Sequence, residues 1–401
     1  HSVGVLEQAS RLRRVSVAVR VLMIGADDQG GHGFYCRTLA DALRESSVDV
    51  RLYGLRPFAT PPYARFRPLW AVDRFFRTAA NSVRALTQVA SGEPEVVHFQ
   101  LLMPLIDRFW IPVIAHKVPM VITVHNVEPH RSTIGFTPNW LGPIYRCSDR
   151  LIVHSSANKR RLLEIYPELA DKTVVVPHGV WVPAKRYSKE EARSRLGVPV
   201  NRQVILFFGS IRQDKGLGFL LEAVATLCRT HSDGTLPLLV VAGSLPVNES
   251  FEPYSQRITE LGIEEYVRAK VGFVPDEEVP YYFCASDVVV LPYTEQFQAQ
   301  SGVLMLSYGY GVPVVVTDVG SLGETVREDG TGIVISQRDP DILANALRFI
   351  LGNPDMCTRA AQSMLRLSVE KYSWSAVAEK TAEVYEMALR QRGTKGGGTP
   401  R

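Results

Sequence analysis

Residues 293 to 324, YTEQFQAQSGVLMLSYGYGVPVVVTDVGSLGE, carry the reading on which the fold turns. The apolar run ending at Pro292 reads as a strand leaving the core. Ser301-Gly302 opens a helix, and Gly311-Val312-Pro313 closes it before a second apolar run, Val314-Val315-Val316. A strand, loop, helix, strand unit belongs to a parallel sheet, and its loop lies where such sheets bind ligands, outside the carboxyl ends of the strands. With Ser301 and Gly302 at the helix start, free backbone N–H groups and the positive end of the helix dipole would face an anion. The stretch is therefore either a phosphate loop held by backbone or a turn with small residues for packing.

The same alternation recurs on both sides. Upstream, VILFFGSIRQDKGLGFLLEAVATL (204–227) reads as strand, loop and helix, with Gly209, Arg212, Lys215 and Gly216 in the loop. Arginine and lysine between glycines form either a phosphate clamp or two solvated charges on a surface turn. PLLVVAGS and VRAKVGFV add strands, and DEEVPYYFCASDVVVLPY adds a helix and the strand that enters the opening stretch. Downstream come GTGIVI, a helix around DPDILANALRFIL and a last helix, SWSAVAEKTAEVYEMALR.

The amino-terminal half repeats the pattern. VSVAVRVLMIGADDQGGHGFYCRTLADAL (15–43) gives a strand, a glycine turn at Gly30 to Gly33 and a helix, without the G-x-G-x-x-G spacing of a dinucleotide site. Three strand ends carry a histidine: His98, His125, which is followed by Asn126, and His178. Ser155 is placed to cap a helix. Strands alternating with helices throughout predict doubly wound parallel sheets. A polar, charged stretch, AKRYSKEEARSRLGVPVNRQ, separates the halves as a linker.

At 401 residues the chain exceeds what one core serves, and 46% hydrophobic with 21% charged residues is a globular composition. A formal charge of +4 is small for this length and gives no nucleic-acid signature. Five scattered cysteines without a C-x-x-C pair point to a reducing compartment and away from zinc. No basic-then-apolar signal pattern opens the chain, and no apolar run approaches the ~20 residues of a bilayer span. The expectation is a cytoplasmic protein. One segment leaves a peripheral membrane contact open: from Arg56 to Arg84, six arginines alternate with Phe58, Tyr63, Phe66, Trp70, Phe75 and Phe76. Such a mixture suits either an anionic lipid surface or an amphipathic helix burying its rings in the core.

Several of these segments, in this order, resemble the retaining glycosyltransferases of family four. They are the glycine loop and helix at Gly30 to Leu43, Thr123 to Asn126 (TVHN), PHGV, FFGSIRQDKG, GFVPDEEVPYYFCASDVVVLPY, PVVVTDVGSLGE and the Ser-Trp that opens the last helix. The resemblance implies the GT-B fold, two Rossmann-like α/β domains facing across a cleft. It places an acceptor domain at 15–182, a donor domain at 183–372 and a helix at 373–392 crossing back to the first domain.

It further implies a metal-independent transfer of sugar from a nucleoside-diphosphate donor, UDP- or GDP-linked, to a hydroxyl on a glycan or lipid-linked acceptor, with no cofactor. His125, Arg212 and Lys215 take the catalytic positions. Gly31, Gly209, Gln298, Gln300, Ser301, Gly302 and Glu324 take donor-binding positions, and His32, His98 and Asn126 lie near the sugar or acceptor. One departure stands out. The family's two glutamates, eight positions apart, are Gln298 and Leu306 here, so the contact to the ribose is lost or moved. That departure keeps two alternatives open, a catalytically silent binding protein of the same fold and a nucleotide-sugar epimerase or hydrolase.

Overall fold

In a computed structural model, the described residues are 19–26, 31–55, 80, 82–127, 137–181, 185–230, 236–246, 249–297, 299–336 and 339–396. Twelve strands among them form two six-stranded sheets in which every pairing is parallel.

The first sheet contains β1 (Arg20–Ala26), β2 (Asp49–Leu55), β3 (Val96–Phe99), β4 (Met120–Thr123), β5 (Arg150–Val153) and β6 (Thr173–Val175), in the order β2-β1-β3-β4-β5-β6. The second contains β7 (Val204–Phe208), β8 (Leu238–Gly243), β9 (Val267–Val271), β10 (Val288–Leu291), β11 (Val314–Thr317) and β12 (Gly332–Ile335), in the order β12-β11-β10-β7-β8-β9. Strands such as VVHF, MVIT, VVVL and VVVT are buried at every position, as expected for a parallel sheet covered on both faces.

Each sheet reverses its winding once. In the first sheet the switch lies between β1 and β3, and in the second between β7 and β10. Loops that leave the carboxyl ends of these neighbours diverge to opposite faces and open a crevice. In the second sheet the crevice is bordered by the loop after β7, which holds Gly209 to Lys215, and the loop after β10, which leads to Ser301.

The opening stretch folds as its sequence predicts. Helix α1 of that stretch's counterpart in the first domain spans Gly31–Glu45, and the helix of the stretch itself spans Gly302–Tyr310. In the latter, Ser301 Oγ accepts from the Leu304 N–H, and Gly311 closes it in the left-handed region at φ +69°. From Leu304 to Tyr310 every residue is buried, so this short helix is a core element whose only open end is its start.

The last helix, Trp374–Gly396, packs on the first sheet beside α1: Val377, Ala378, Val384, Tyr385 and Ala388 share a core with Met23, Leu39, Leu43 and Val121. Two chain segments therefore cross between the sheets. They run side by side, the Val180 N–H donating to the Tyr372 carbonyl at 2.8 Å. Gly179 is essential to this crossing, because a Cβ there would lie 2.5 Å from Cε2 of Trp374.

Candidate active site

The two crevices face each other and enclose a cavity of about 580 Å³. Its first-domain wall is made by Gly31, His32, Phe34 and Tyr35 from the start of α1, by His125 and Asn126 beyond β4, and by His154 and His178. The second-domain wall carries Gly209, Ser210, Arg212 and Lys215 after β7, and Gln300, Ser301 and Gly302 ahead of the buried helix. Ten of the residues expected from the sequence thus come together: Gly31, His32, His125, Asn126, Gly209, Arg212, Lys215, Gln300, Ser301 and Gly302.

Three others do not join them as described. Gln298 lies outside the described residues. His98 is fully buried, away from the cavity, with Nδ1 2.7 Å from the Tyr385 hydroxyl and Nε2 2.8 Å from Thr123 Oγ1. Its register partners Met23 and Val121 belong to the core layer beneath the last helix, so its side chain points there and not into the cleft. Glu324 also departs from the donor-binding position expected for it. One carboxylate oxygen accepts from the Ala157 N–H at 3.0 Å and the other pairs with Arg160, both at the start of the first-domain helix Ser156–Ile165. It caps a helix across the domain gap. Asn126 and Ala299 form an isolated antiparallel backbone bridge between the two domains. The Arg56–Arg84 segment lies almost entirely outside the described residues.

The cationic wall is built by backbone geometry. Gly209 and Gly243 sit back to back at φ +101° and +153°, and a Cβ on Gly243 would fall 1.6 Å from the Gly209 carbonyl oxygen. This close contact brings the loop after β7 down onto β8 and aims its 3₁₀ turn, Gln213–Lys215, at the cavity. Arg212 is fixed by a bidentate pair with buried Asp214, at 2.9 and 2.7 Å. Lys215 has no carboxylate ion pair among the described residues. Its ammonium lies 3.7 Å from the ring centre of Tyr293 and 3.9 Å from that of Phe297. Burial, and then the neighbouring Arg212 charge, lower its pKa to about 7, Asp214 opposing only in part. A lysine so placed lacks an anion.

Space is reserved beside it. A Cβ built on Gly302 or on Gly31 would meet nothing within 4 Å, although each opens a helix that borders the cavity. Neither glycine is required by crowding within the protein, and both line the volume between the walls.

Three histidines of the first-domain wall are held toward the neutral form. Burial holds His125 well below its ordinary pKa, with His32, His154, His178 and His98 adding like-charge opposition, and it lowers His154 to about 3 and His178 to about 4. Beside it, Phe34 stacks on Trp181 at 3.8 Å and 5°. His154 was not singled out from the sequence, although it ends β5 as His125 ends β4. Leu306, at the position of the missing glutamate, lines the cavity while remaining 8% exposed. No group of three His, Cys, Asp or Glu among the described residues is arranged to hold a metal ion.

Comparison with known proteins agrees with this architecture. Residues 29–181 match the model of Glycosyltransferase Family 4, and residues 188–364 match that of Glycosyl transferases group 1. A D-inositol 3-phosphate glycosyltransferase of Corynebacterium diphtheriae is 31% identical over 395 residues, covering 90% of each chain. Among solved structures, a sucrose-phosphate synthase from Thermosynechococcus elongatus superposes with a TM-score of 0.72 at 18% identity, over 93% of this chain and all of that one. Anabaena HepE in complex with UDP-glucose superposes with a TM-score of 0.68 at 15% identity, over 92% and 99% of the two chains.

Proposed function

The chain belongs to glycosyltransferase family 4, and from that premise we propose that it moves a sugar from a UDP- or GDP-linked donor to an acceptor hydroxyl, retaining the anomeric configuration and without a metal ion. The observation that carries this reading is the convergence, at the switch point of the second sheet, of Arg212, Lys215 and the Gly302 helix start on one cavity. As the glycosidic bond breaks, the diphosphate gains negative charge. Cations and N–H groups fixed beforehand stabilise that charge without reorganising at the moment of reaction. Lys215 and Arg212 supply the cations, and the Ser301-Gly302 helix start supplies the N–H groups.

The donor sugar then lies toward His125 and Asn126, and the acceptor enters over the first domain beside Phe34 and Trp181. Asp276 is the one carboxylate among the described lining residues, at the rim and exposed. Where the described lining offers no other carboxylate, the departing phosphate oxygen can serve as base to the incoming hydroxyl, which favours attack from the leaving-group side and hence retention. With Leu306 in place of a carboxylate, the ribose hydroxyls find their partner elsewhere.

The name of the C. diphtheriae relative supports a small phosphorylated polyol as acceptor, and glycan or lipid-linked acceptors remain within the proposal. We place the protein in the cytoplasm, in polysaccharide or glycolipid biosynthesis, with the Arg56–Arg84 segment touching anionic membrane. No described helix is long and apolar enough to cross a bilayer. Flotation with anionic vesicles that weakens with salt supports the membrane contact, and flotation that ignores salt or fails removes it.

Incubation with UDP-, GDP-, dTDP- and ADP-sugars, following nucleotide release with and without acceptors, tests the whole reading. Acceptor-dependent release supports transfer. Release independent of acceptor makes the protein a hydrolase, and absence of donor binding makes it a silent member of the family.

A further inference from the structure

A hydrogen-bonded line crosses the first domain beneath the cleft, and it admits a single assignment of protons in which every histidine is neutral. The Val176 carbonyl can only accept, so His154 Nδ1, 3.0 Å away, carries a proton and donates. Neutral His154 then offers Nε2 as an acceptor, and His125 Nδ1, at 3.1 Å, must donate to it. That leaves His125 Nε2 bare. Gln100 Oε1 is placed 2.9 Å from this nitrogen, and Gln100 Nε2 3.2 Å from His98 Nε2, which Thr123 Oγ1 also approaches at 2.8 Å. The two amide atoms are told apart by their partners. Exchanging the two amide atoms lets the nitrogen donate to His125 Nε2 and the oxygen accept from His98 Nε2–H, a proton it shares with Thr123 Oγ1. His98 Nδ1 in turn accepts from the Tyr385 hydroxyl at 2.7 Å. Donation runs in one sense throughout, from the last helix to β6.

With the oxygen left toward His125 an extra proton would be required, making His125 or His154 an imidazolium among four neighbouring histidines. Burial and mutual repulsion oppose that charge. The titratable groups facing His125 are His32 and Tyr35 of α1, set edge-on at 4.7 and 4.9 Å, His98 of β3, His154 beyond β5 and His178 beyond β6. Arg212, Lys215 and Asp276 lie on the opposite wall of the cavity.

We propose that Gln100 and His154 are positioning residues that hold His125 neutral with its proton on Nδ1. This rests on the glycosyltransferase reading of the cleft. Both ring nitrogens are then engaged within the first domain, so His125 neither takes nor gives a proton during transfer. It presents an uncharged ring to a sugar whose anomeric carbon gains positive charge as the diphosphate leaves. An imidazolium in its place would oppose that charge.

Nitrogen-15 NMR of histidine-labelled protein, with His125 assigned by the signal lost in His125→Asn, reads the tautomer without any substrate. The wild type is expected to show a protonated Nδ1 and an unprotonated Nε2 at pH 7. The other tautomer, or an imidazolium, overturns the proposal whatever the activity. Gln100→Glu replaces the donor with an acceptor, so His125 must protonate Nε2 as well, and its pKa rises. The kcat/KM profile of this variant should fall by more than about tenfold as pH drops through the raised value and recover above it, while donor KM changes little. A profile parallel to the wild type overturns the proposal.

A second pair of variants serves if Gln100→Glu does not fold. The amide of His154→Gln can donate to Val176 and accept from His125, so it should keep the tautomer and activity within about threefold. His154→Leu should lose both, and equal behaviour of the pair again overturns the proposal. Absence of transfer with every donor would end the functional reading and leave the NMR result to decide the proton assignment.

Discussion

Lys215 offers the sharpest quantitative test, because its charge is set first by burial and then by the neighbouring Arg212, with Asp214 opposing only in part. Its pKa of about 7 leaves it half protonated at neutral pH and almost neutral at pH 8. A bound diphosphate would restore the charge. Binding of UDP should therefore take up most of a proton at this residue at pH 8 and little at pH 6. Affinity should fall as pH rises through the lowered value, by up to about tenfold per pH unit above it, because only the protonated fraction binds well.

Calorimetry in buffers of differing ionisation enthalpy measures the uptake. The difference between wild type and Lys215→Met isolates this group from titration of the nucleotide. Stability gives the converse signature. The folded value lies below the ordinary lysine value of 10.5, so the cost of burial is fully present below about pH 7 and relaxes as pH rises toward 10.5. It amounts at most to on the order of 5 kcal/mol. Lys215→Met should therefore melt higher than the wild type at pH 6 to 7, by a margin that shrinks at higher pH, while losing transfer. Equal proton uptake in the two proteins, or a lower melting temperature for Lys215→Met at pH 6, would refute the argument.

Other perturbations test separate parts of the cleft. Gly302→Ala adds a methyl group where the protein itself leaves open space, so stability should stay within about 1 kcal/mol while UDP affinity drops tenfold or more; unchanged affinity in a titration would remove this helix start from the diphosphate site. Glu324→Ala cuts a cross-domain cap worth about 1 kcal/mol, and should raise the radius of gyration by X-ray scattering, with little change in melting temperature. Gly179→Ala forces a Cβ to within 2.5 Å of the Trp374 ring and should lower stability by about 1–3 kcal/mol in thermal denaturation.

The sheets were legible because their strands are uninterrupted apolar runs and their helices are closed by glycine or proline, so period and punctuation agree at Ser301, Gly311 and Pro313. Residues placed by loops at strand ends could also be read, because the parallel topology alone puts those ends on one edge. What sequence could not give was the face. His98 and His125 end neighbouring strands, yet side chains alternate along a strand, and His98 turns to the layer under the last helix.

The partners of Glu324 were hidden for a related reason. Its place in the first turn of the helix after β11 fixes its height above the sheet, whereas its partners Ala157 and Arg160 come from the other domain, more than 160 positions away. The same strand-end signal would have found His154. The line through Gln100 was invisible because its order in space does not follow its order in the chain.

The central claim is that a nucleoside diphosphate binds at the switch point of the second sheet. A crystal structure of the full chain soaked with UDP, and another with GDP, tests it most directly. The account predicts diphosphate oxygens within about 3 Å of Lys215 Nζ, the Arg212 guanidinium and the Gly302 N–H. A diphosphate bound elsewhere, or a cleft empty at saturating concentrations of both nucleotides, would contradict it.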